Sequence, residues 1–300
     1  MLLSVFLGLQ LIQSVLIPAA LIPSEPISGW LLLIPLLLSN SWWAFIHEAL
    51  HGHLFSNKSI GRAVGRVNAV LYGASFDLLR FGHLLHHAYS RTQRERAEAY
   101  RADEQSWITA APGYYFRLLG GLYVFEILGT FAFLLPRSVI RRLATRIAND
   151  DNVVGELTHR LLARDMLHAV RTDAIAILVI YGASFYWYGQ HWWMLALALW
   201  GRSLLISLMD NAFHYGTPLD QPRYAPNLAA PAWCGTLLLN FNLHGLHHQR
   251  PAVPWYELAI LHRQGQGEYQ GLLLPAILAQ LRGPIPEQEL KGRTRTTGVL

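Results

Sequence analysis

The chain has 300 residues, 52% of them hydrophobic and only 14% charged, against roughly 25% charged in an ordinary soluble domain. With a mean hydropathy of +0.24 it is neither a disordered chain nor an ordinary water-soluble enzyme. Its single cysteine, Cys234, excludes a disulfide framework and any cysteine-based zinc or iron–sulfur site.

No charged residue occurs from Met1 to Ser24, nor from Ile27 to Ile46. Each run approaches the ~20 apolar residues that span a bilayer as a helix. Pro23-Ser24-Glu25-Pro26 between them is a turn, so residues 1–22 and 27–46 are predicted to form a membrane hairpin. A cleaved signal peptide would need a basic flank, which is missing, and would not be followed at once by a second span. Gly61–Tyr100 and Pro136–Arg171 are predicted as cytoplasmic helices, the second with Ala163, Met166, Leu167 and Val170 at helical spacing. Residues 114–135 are apolar but contain Arg117, Glu126 and Gly120-Gly121. They are predicted as an interfacial or re-entrant helix that does not cross.

A second hairpin is predicted from spans 174–189 and 192–209, turning at Gly189-Gln190-His191. Tyr186, Trp187, Tyr188, Trp192 and Trp193 crowd that turn, as aromatics do at a membrane–water interface. Basic residues are missing from 1–57 and between Arg171 and Arg202, and Lys58, Arg62, Arg66, Arg80, those from Arg91 to Arg101 and the Arg137–Arg171 stretch fall in the long segments outside the hairpins. The positive-inside rule then places both termini and the long segments in the cytoplasm, with four crossings. The expected fold is an all-α integral membrane domain over 1–283, four transmembrane helices in two hairpins under a helical cytoplasmic cap. Residues 284–300 are polar and expected to be a flexible tail.

Nine of the 14 histidines are patterned. His47 and His51 stand in HEALH; His83, His86 and His87 in HLLHH; His244, His247 and His248 in HGLHH. His214 stands alone at the end of the fourth span. On a helix, positions i, i+3 and i+4 share one face, so each motif presents two or three imidazoles together. With four crossings all nine lie on one side of the membrane. A single crossing at 114–135 would divide them. His53, His159, His168, His191 and His262 match no motif and are read as non-ligands.

Imidazole suits zinc, iron, copper and nickel. A zinc site takes about four ligands, so nine histidines imply two metals with four or five each. Two adjacent metals held by neutral nitrogens, with room for oxygen, suit iron better than zinc. Asp210 and Asn211, one helical turn before His214, are candidates to hold a metal-bound water or orient a ligand, or else form a polar helix end. Glu48 is read as supporting a ligand histidine rather than as the general base of a zinc HExxH site. Asp77 is a weaker candidate of the same kind. Arg91, Arg94, Arg96 and Arg101 interleave with Glu95, Glu98, Asp103 and Glu104 and read as a solvated charged face rather than a clamp for a substrate headgroup. Arg137, Arg141, Arg142 and Arg146 flank a membrane-associated segment and are expected to meet anionic lipid.

HxxxH, HxxHH and HxxHH at the ends of two membrane hairpins resemble the membrane fatty acid desaturase/hydroxylase superfamily. Gln249-Arg250-Pro251-Ala252-Val253-Pro254-Trp255-Tyr256-Glu257-Leu258 is similar to that family's HHxxPxVPWxxL continuation, and HEALHGHLF at His47–Phe55 resembles its bacterial branch. The NAFHYG stretch around His214 also resembles the membrane alkane hydroxylases, although Phe213 stands where those carry an acidic residue. The resemblance runs from about His47 to Leu258. It implies a non-haem di-iron centre with all nine histidines as ligands, His214 being the one outside the boxes. O₂ would be the co-substrate, and the setting a bacterial inner membrane with the active site on the cytoplasmic side.

By the same analogy the substrate is a long-chain fatty acid or acyl lipid held in an apolar slot of the helical stem, and the reaction is desaturation. Fatty acid hydroxylation, decarboxylation to a terminal alkene and carotenoid ketolation or hydroxylation use the same motifs. An intramembrane zinc protease built on HEALH would leave seven patterned histidines unused. A haem protein or metal transporter would need its ligands deeper in the spans. No nucleotide-binding loop and no cysteine cluster occurs, so a ferredoxin- or cytochrome-type donor must bring electrons, and no nucleic-acid partner is expected.

Overall fold

The computed structural model describes residues 1–293. Helix α1 (Leu2–Leu11) runs on as a wider, π-type helix through Ile12–Leu21, which contains Pro18. A proline lacks the amide donor and crowds the turn before it, and the widened stretch accommodates it. After the turn the chain returns through a 3-10 segment (Pro26–Leu32), α2 (Leu33–Leu37) and α3 (Ser39–His51). Phe6 stacks on Trp42 and tilts against Phe45, so the start of α1 lies beside the end of α3 that carries the first histidines.

Helix α4 (Lys58–Tyr72) is capped by Asn57, whose side chain accepts from the amides of Ser59 and Ile60. It ends at Gly73 with φ 107°, and the chain climbs back through α5 (Phe76–Tyr89). These two helices pack against α3 and against each other. Tyr72 donates to the Ser39 carbonyl and Tyr181 to that of Leu71. Ser39 is the first residue of α3 and His51 the last, so the α4–α5 turn sits roughly 18 Å below the histidines by the 1.5 Å rise per residue. Gly65 permits the close approach: a Cβ there would lie 2.6 Å from that of Ala49 and 2.7 Å from the Phe76 ring.

Helices α6 (Trp107–Phe116) and α7 (Leu122–Ala132) form one apolar stretch broken at Leu119 and Gly120, the latter with φ 115°. The break rests against Ser203. Trp107 meets Gly283, to whose carbonyl Tyr215 donates, whereas Thr130 accepts from the Ser75 amide. One end of this bent element thus lies beside the turn after His214, and the other beside the α4–α5 turn. Helices α8 (Arg137–Ile147) and α9 (Val154–Leu161) pack over Leu78, Phe133 and Val170.

The second hairpin is α10 (Arg164–Tyr188) and α11 (Trp192–Ala212), reversed at Gly189. Asp173 on α10 accepts from both Ser75 Oγ (2.8 Å) and the Phe76 amide (3.2 Å) at the start of α5, and pairs with Arg66. The chain ends in short helices, α12 (Ala232–Leu237), α13 (His244–Gln249), α14 (Trp255–Arg263), α15 (Leu273–Ala279) and α16 (Glu287–Lys291). Two small parallel strand pairs join distant segments, Asn227–Ala229 with Tyr269–Leu272 and Ala99–Tyr100 with Ile285–Pro286. The segment expected as a loose tail is therefore packed as far as it is described: Ile285 and Pro286 are paired and Leu290 is fully buried. Residues 294–300 lie outside the described residues.

Among the described residues four helical stretches are long and apolar enough to cross a membrane: Leu2–Leu21, Pro26–His51, Trp107–Ala132 and Arg164–Ala212. The last comprises both arms of the second hairpin. The protein is a mostly helical integral membrane protein whose apolar helices support a histidine cluster at one end.

Replacing Gly65 with Val should force α4 away from α3 and α5, at a cost of roughly 1–3 kcal/mol. Thermal unfolding in detergent should show a lower midpoint than the wild type; an unchanged midpoint would contradict the close packing.

Candidate metal centre

Each histidine is delivered by a different local device. His47 and His51 lie in the last two turns of α3, which stops at Gly52 in a left-handed conformation (φ 77°) that suits glycine. His83, His86 and His87 share the inward face of α5, and His244, His247 and His248 that of α13. His214 lies just past α11 in a turn held by its amide on the Asn211 carbonyl (3.0 Å) and by Thr217 Oγ1 on its own carbonyl (2.8 Å).

The structure brings all nine predicted ligands together, in two groups. His47, His51, His83, His87 and His247 form one; His86, His214, His244 and His248 form the other. Within each group the ligand nitrogens lie within 4.8 Å of one another. His83 Nε2 is 2.8 Å from His51 Nε2 and 3.0 Å from His87 Nε2, which is itself 3.0 Å from His247 Nε2. In the second group, Nε2 pairs His214–His244 and His86–His248 are 3.2 and 3.3 Å apart. His47 Nε2 is buried without a hydrogen-bond partner. A ring nitrogen is either a donor or an acceptor, so a nitrogen facing two others cannot satisfy both. A cation at the centre of each group satisfies all of them, and the donor set fits two metal ions, one with five imidazoles and one with four.

Burial also keeps the rings in the metal-binding form. Desolvation, reinforced by neighbouring imidazoles, holds His83, His214, His244, His247 and His248 well below the ordinary histidine range, and brings His87 down to about 3. His86 differs. Burial opposes its protonation, but the Glu95 carboxylate, 2.6 Å from Nδ1, outweighs that and raises its pKa.

Around the ligands, Glu48 is buried and accepts from the Trp255 amide (3.2 Å); its Oε2 is also 3.0 Å from His53 Nδ1, and its Oε1 3.8 Å from His47 Nδ1. It thereby ties the first histidine motif to the Val-Pro-Trp stretch after the third. His53 belongs to neither group and serves this carboxylate. Asp77 pairs with Arg66, away from the ligands. Glu95 and Ser90, whose Oγ lies 3.4 Å from His214 Nδ1, were not singled out by sequence. The signal for Glu95 was its place nine residues after His86, obscured by the charged run around it. The arginines of that run are paired: Arg91 with buried Glu98 (2.8 Å), Arg94 with Glu156 (3.3 Å), Arg96 with Glu287 (2.6 Å) and Arg101 with Glu104 (2.6 Å).

Asp210 and Asn211 line a cavity of about 80 Å³ that reaches His86 and His214, with Glu95, Tyr114, Leu118 and Leu122 as other walls. The Asn211 amide donates to Gln280 Oε1 (2.7 Å). The cavity opens between the bent α6–α7 element and α11, beside the stem. The stem interior below the histidines is filled at the depth of the α4–α5 turn. There Arg202 donates to the Tyr72 carbonyl and to Gln13, and lies over the Trp42 and Tyr72 rings.

A family model described as fatty acid desaturase matches residues 26–275, well over half of the chain and every one of the nine histidines. The chain belongs to the fatty acid desaturase family. That membership carries oxidoreductase chemistry of the desaturase and hydroxylase type on a fatty acyl substrate in a membrane. Comparison with curated proteins and with solved structures returns no match.

Removing the Glu95 carboxylate (Glu95→Ala) should weaken metal binding at the four-histidine group by about 10–100-fold, the usual cost of losing a carboxylate behind a ligand histidine. The five-histidine group should keep its metal. Metal-to-protein ratios during chelator titration measure this; equal loss from both groups would contradict the assignment.

Proposed function

We propose that the chain is an O₂-dependent di-iron oxidase acting on a long alkyl chain, with desaturation of a fatty acid or acyl lipid as its reaction. The observation that carries this reading is the division of nine clustered imidazoles into sets of five and four in a member of the desaturase family. His47, His51, His83, His87 and His247 would hold one iron, and His86, His214, His244 and His248 the other. Iron so bound, supplied with O₂ and two electrons, provides an oxidant able to take hydrogen from an unactivated C–H bond.

The protein's own share is position and dryness. Glu95 fixes the orientation of His86 from behind, and Glu48 sets its charge beside His47 while it holds His53 and the Trp255 amide. Asp210 and Asn211, at the cavity wall beside the group with fewer nitrogens, hold a water or a substrate atom in place there, with Asn211 immobilised by Gln280. Tyr114, Leu118 and Leu122 supply an apolar wall that keeps bulk water from the reacting carbon. Electrons come from a ferredoxin- or cytochrome-type donor. The basic long segments favour a cytoplasmic position for the histidine end and attract an acidic donor.

Metal analysis of protein purified from iron-replete cells should give two irons per chain; zinc alone would defeat the di-iron reading. Mass spectrometry of fatty acids, lipids and hydrocarbons from cells expressing the chain should show a product two mass units lighter than an acyl precursor, absent with His247→Ala. A product heavier by one oxygen would replace desaturation by hydroxylation, and a shortened alkene would replace it by decarboxylation. No product dependent on His247 would overturn the oxidase reading.

A further inference from the structure

A second cavity, of about 440 Å³, lies next to the one that reaches the ligands. Tyr114 lines the inner cavity and Tyr215 the second, and their rings, 6.2 Å apart, pack with Leu118 and Ala279 as the partition between them. The second cavity is walled by Tyr100, Trp107 and Tyr215 together with Arg282, Glu289 and Arg293. Its shape is fixed by three phenols that bind the C-terminal backbone: Tyr114 to Gln280 O (2.8 Å), Tyr115 to Leu281 O (3.0 Å) and Tyr215 to Gly283 O (2.8 Å). Gly283, at φ 95°, lets that backbone pass against Trp107, where a Cβ would come within 2.7 Å of the indole.

This cavity is lined by more basic than acidic side chains. The arginines after the second histidine motif are consumed by carboxylates, but Arg282 is exposed and has no hydrogen-bond or ion-pair partner among the described residues. Arg293 donates one Nη1 to the Gly216 carbonyl (2.6 Å), which anchors its guanidinium at the turn that follows His214. Two guanidiniums face one carboxylate, Glu289, so the cavity carries an excess of positive charge. Outside it the surface is apolar: Ile108, Leu278 and Leu281 are each more than half exposed. Positive charge set in aromatic walls, beside a surface suited to lipid, matches an anionic amphiphile.

We propose that this cavity binds the oxyanion head, carboxylate or phosphate, of an anionic amphiphile through Arg282 and Arg293. Its further role, mooring a fatty acid whose chain runs along the Tyr114–Tyr215 partition toward the metal-side cavity, rests on the oxidase reading above. The binding itself does not.

The test uses the full chain, metal-loaded, in a neutral detergent, with palmitate and hexadecanol titrated calorimetrically as probes of equal chain and different charge. Palmitate should bind at least tenfold more tightly than hexadecanol. Arg282→Gln should abolish that preference and weaken palmitate at least tenfold, Arg282→Lys should retain it, and hexadecanol should bind all three proteins equally. Circular dichroism and metal content unchanged in Arg282→Gln keep the comparison free of misfolding. Palmitate and dioleoyl phosphatidic acid both binding indifferently to Arg282→Gln overturns the site. Dioleoyl phosphatidic acid in mixed micelles is the second arm: binding that depends on Arg282 for this lipid but not for palmitate assigns the cavity to a lipid head and overturns the mooring. Wild-type turnover separates the two proposals. Arg282-dependent palmitate binding without any oxidised product leaves the site standing and removes the oxidase reading. Product formed with an unchanged KM in Arg282→Gln does the reverse for the mooring.

Discussion

Imidazole nitrogens that face one another at about hydrogen-bond distance, with burial holding the rings neutral, are mutually unsatisfied unless positive charge lies between them. That constraint governs the architecture. The ligands arrive from α3, α5, the turn after α11 and α13, so the ends of all these elements must meet at one end of the molecule. Every apolar segment between them must therefore return to the side from which it started. The two hairpins do so by tight turns at residues 23–25 and at Gly189.

A backbone that turns inside a helical stem leaves carbonyls and amides that need partners, since hydrocarbon offers none. The α4–α5 turn meets that need with side chains from elsewhere. Arg202 and Tyr123 both donate to the Tyr72 carbonyl, Tyr181 to that of Leu71, and Thr130 accepts from the Ser75 amide. Asp173 completes the set by accepting from Ser75 and Phe76 at the first turn of α5. The guanidinium of Arg202, deep in the stem, is thus a part of the support beneath His83, His86 and His87 rather than a surface charge misplaced. Its charge is spread over two aromatic faces and a glutamine oxygen.

The sequence made the ligand set legible because a helix converts spacing into a shared face; HxxxH and HxxHH need no tertiary information to be read. The hairpins were legible because a bilayer tolerates so few charges. What escaped was set by contacts distant in sequence. Helix α4 contains Lys58, Arg62 and Arg66 and looks solvent-facing, yet Gly61, Gly65 and Ala69 give it a narrow face that lies against α3, and Arg66 is absorbed by Asp77 and Asp173. Residues 284–293 are polar enough to pass for a tail, but a two-residue strand and Leu290 dock them beside the loop after the second histidine motif. Glu95 sits in a run of alternating charge where no local pattern marks one carboxylate from the next. Only the fold shows that it alone in that run reaches a ligand imidazole.

The third histidine motif feeds both groups: His247 joins the set otherwise drawn from the first ninety residues, and His244 and His248 join His86 and His214. Neither coordination sphere is thus complete while the nascent chain is still short of residue 244.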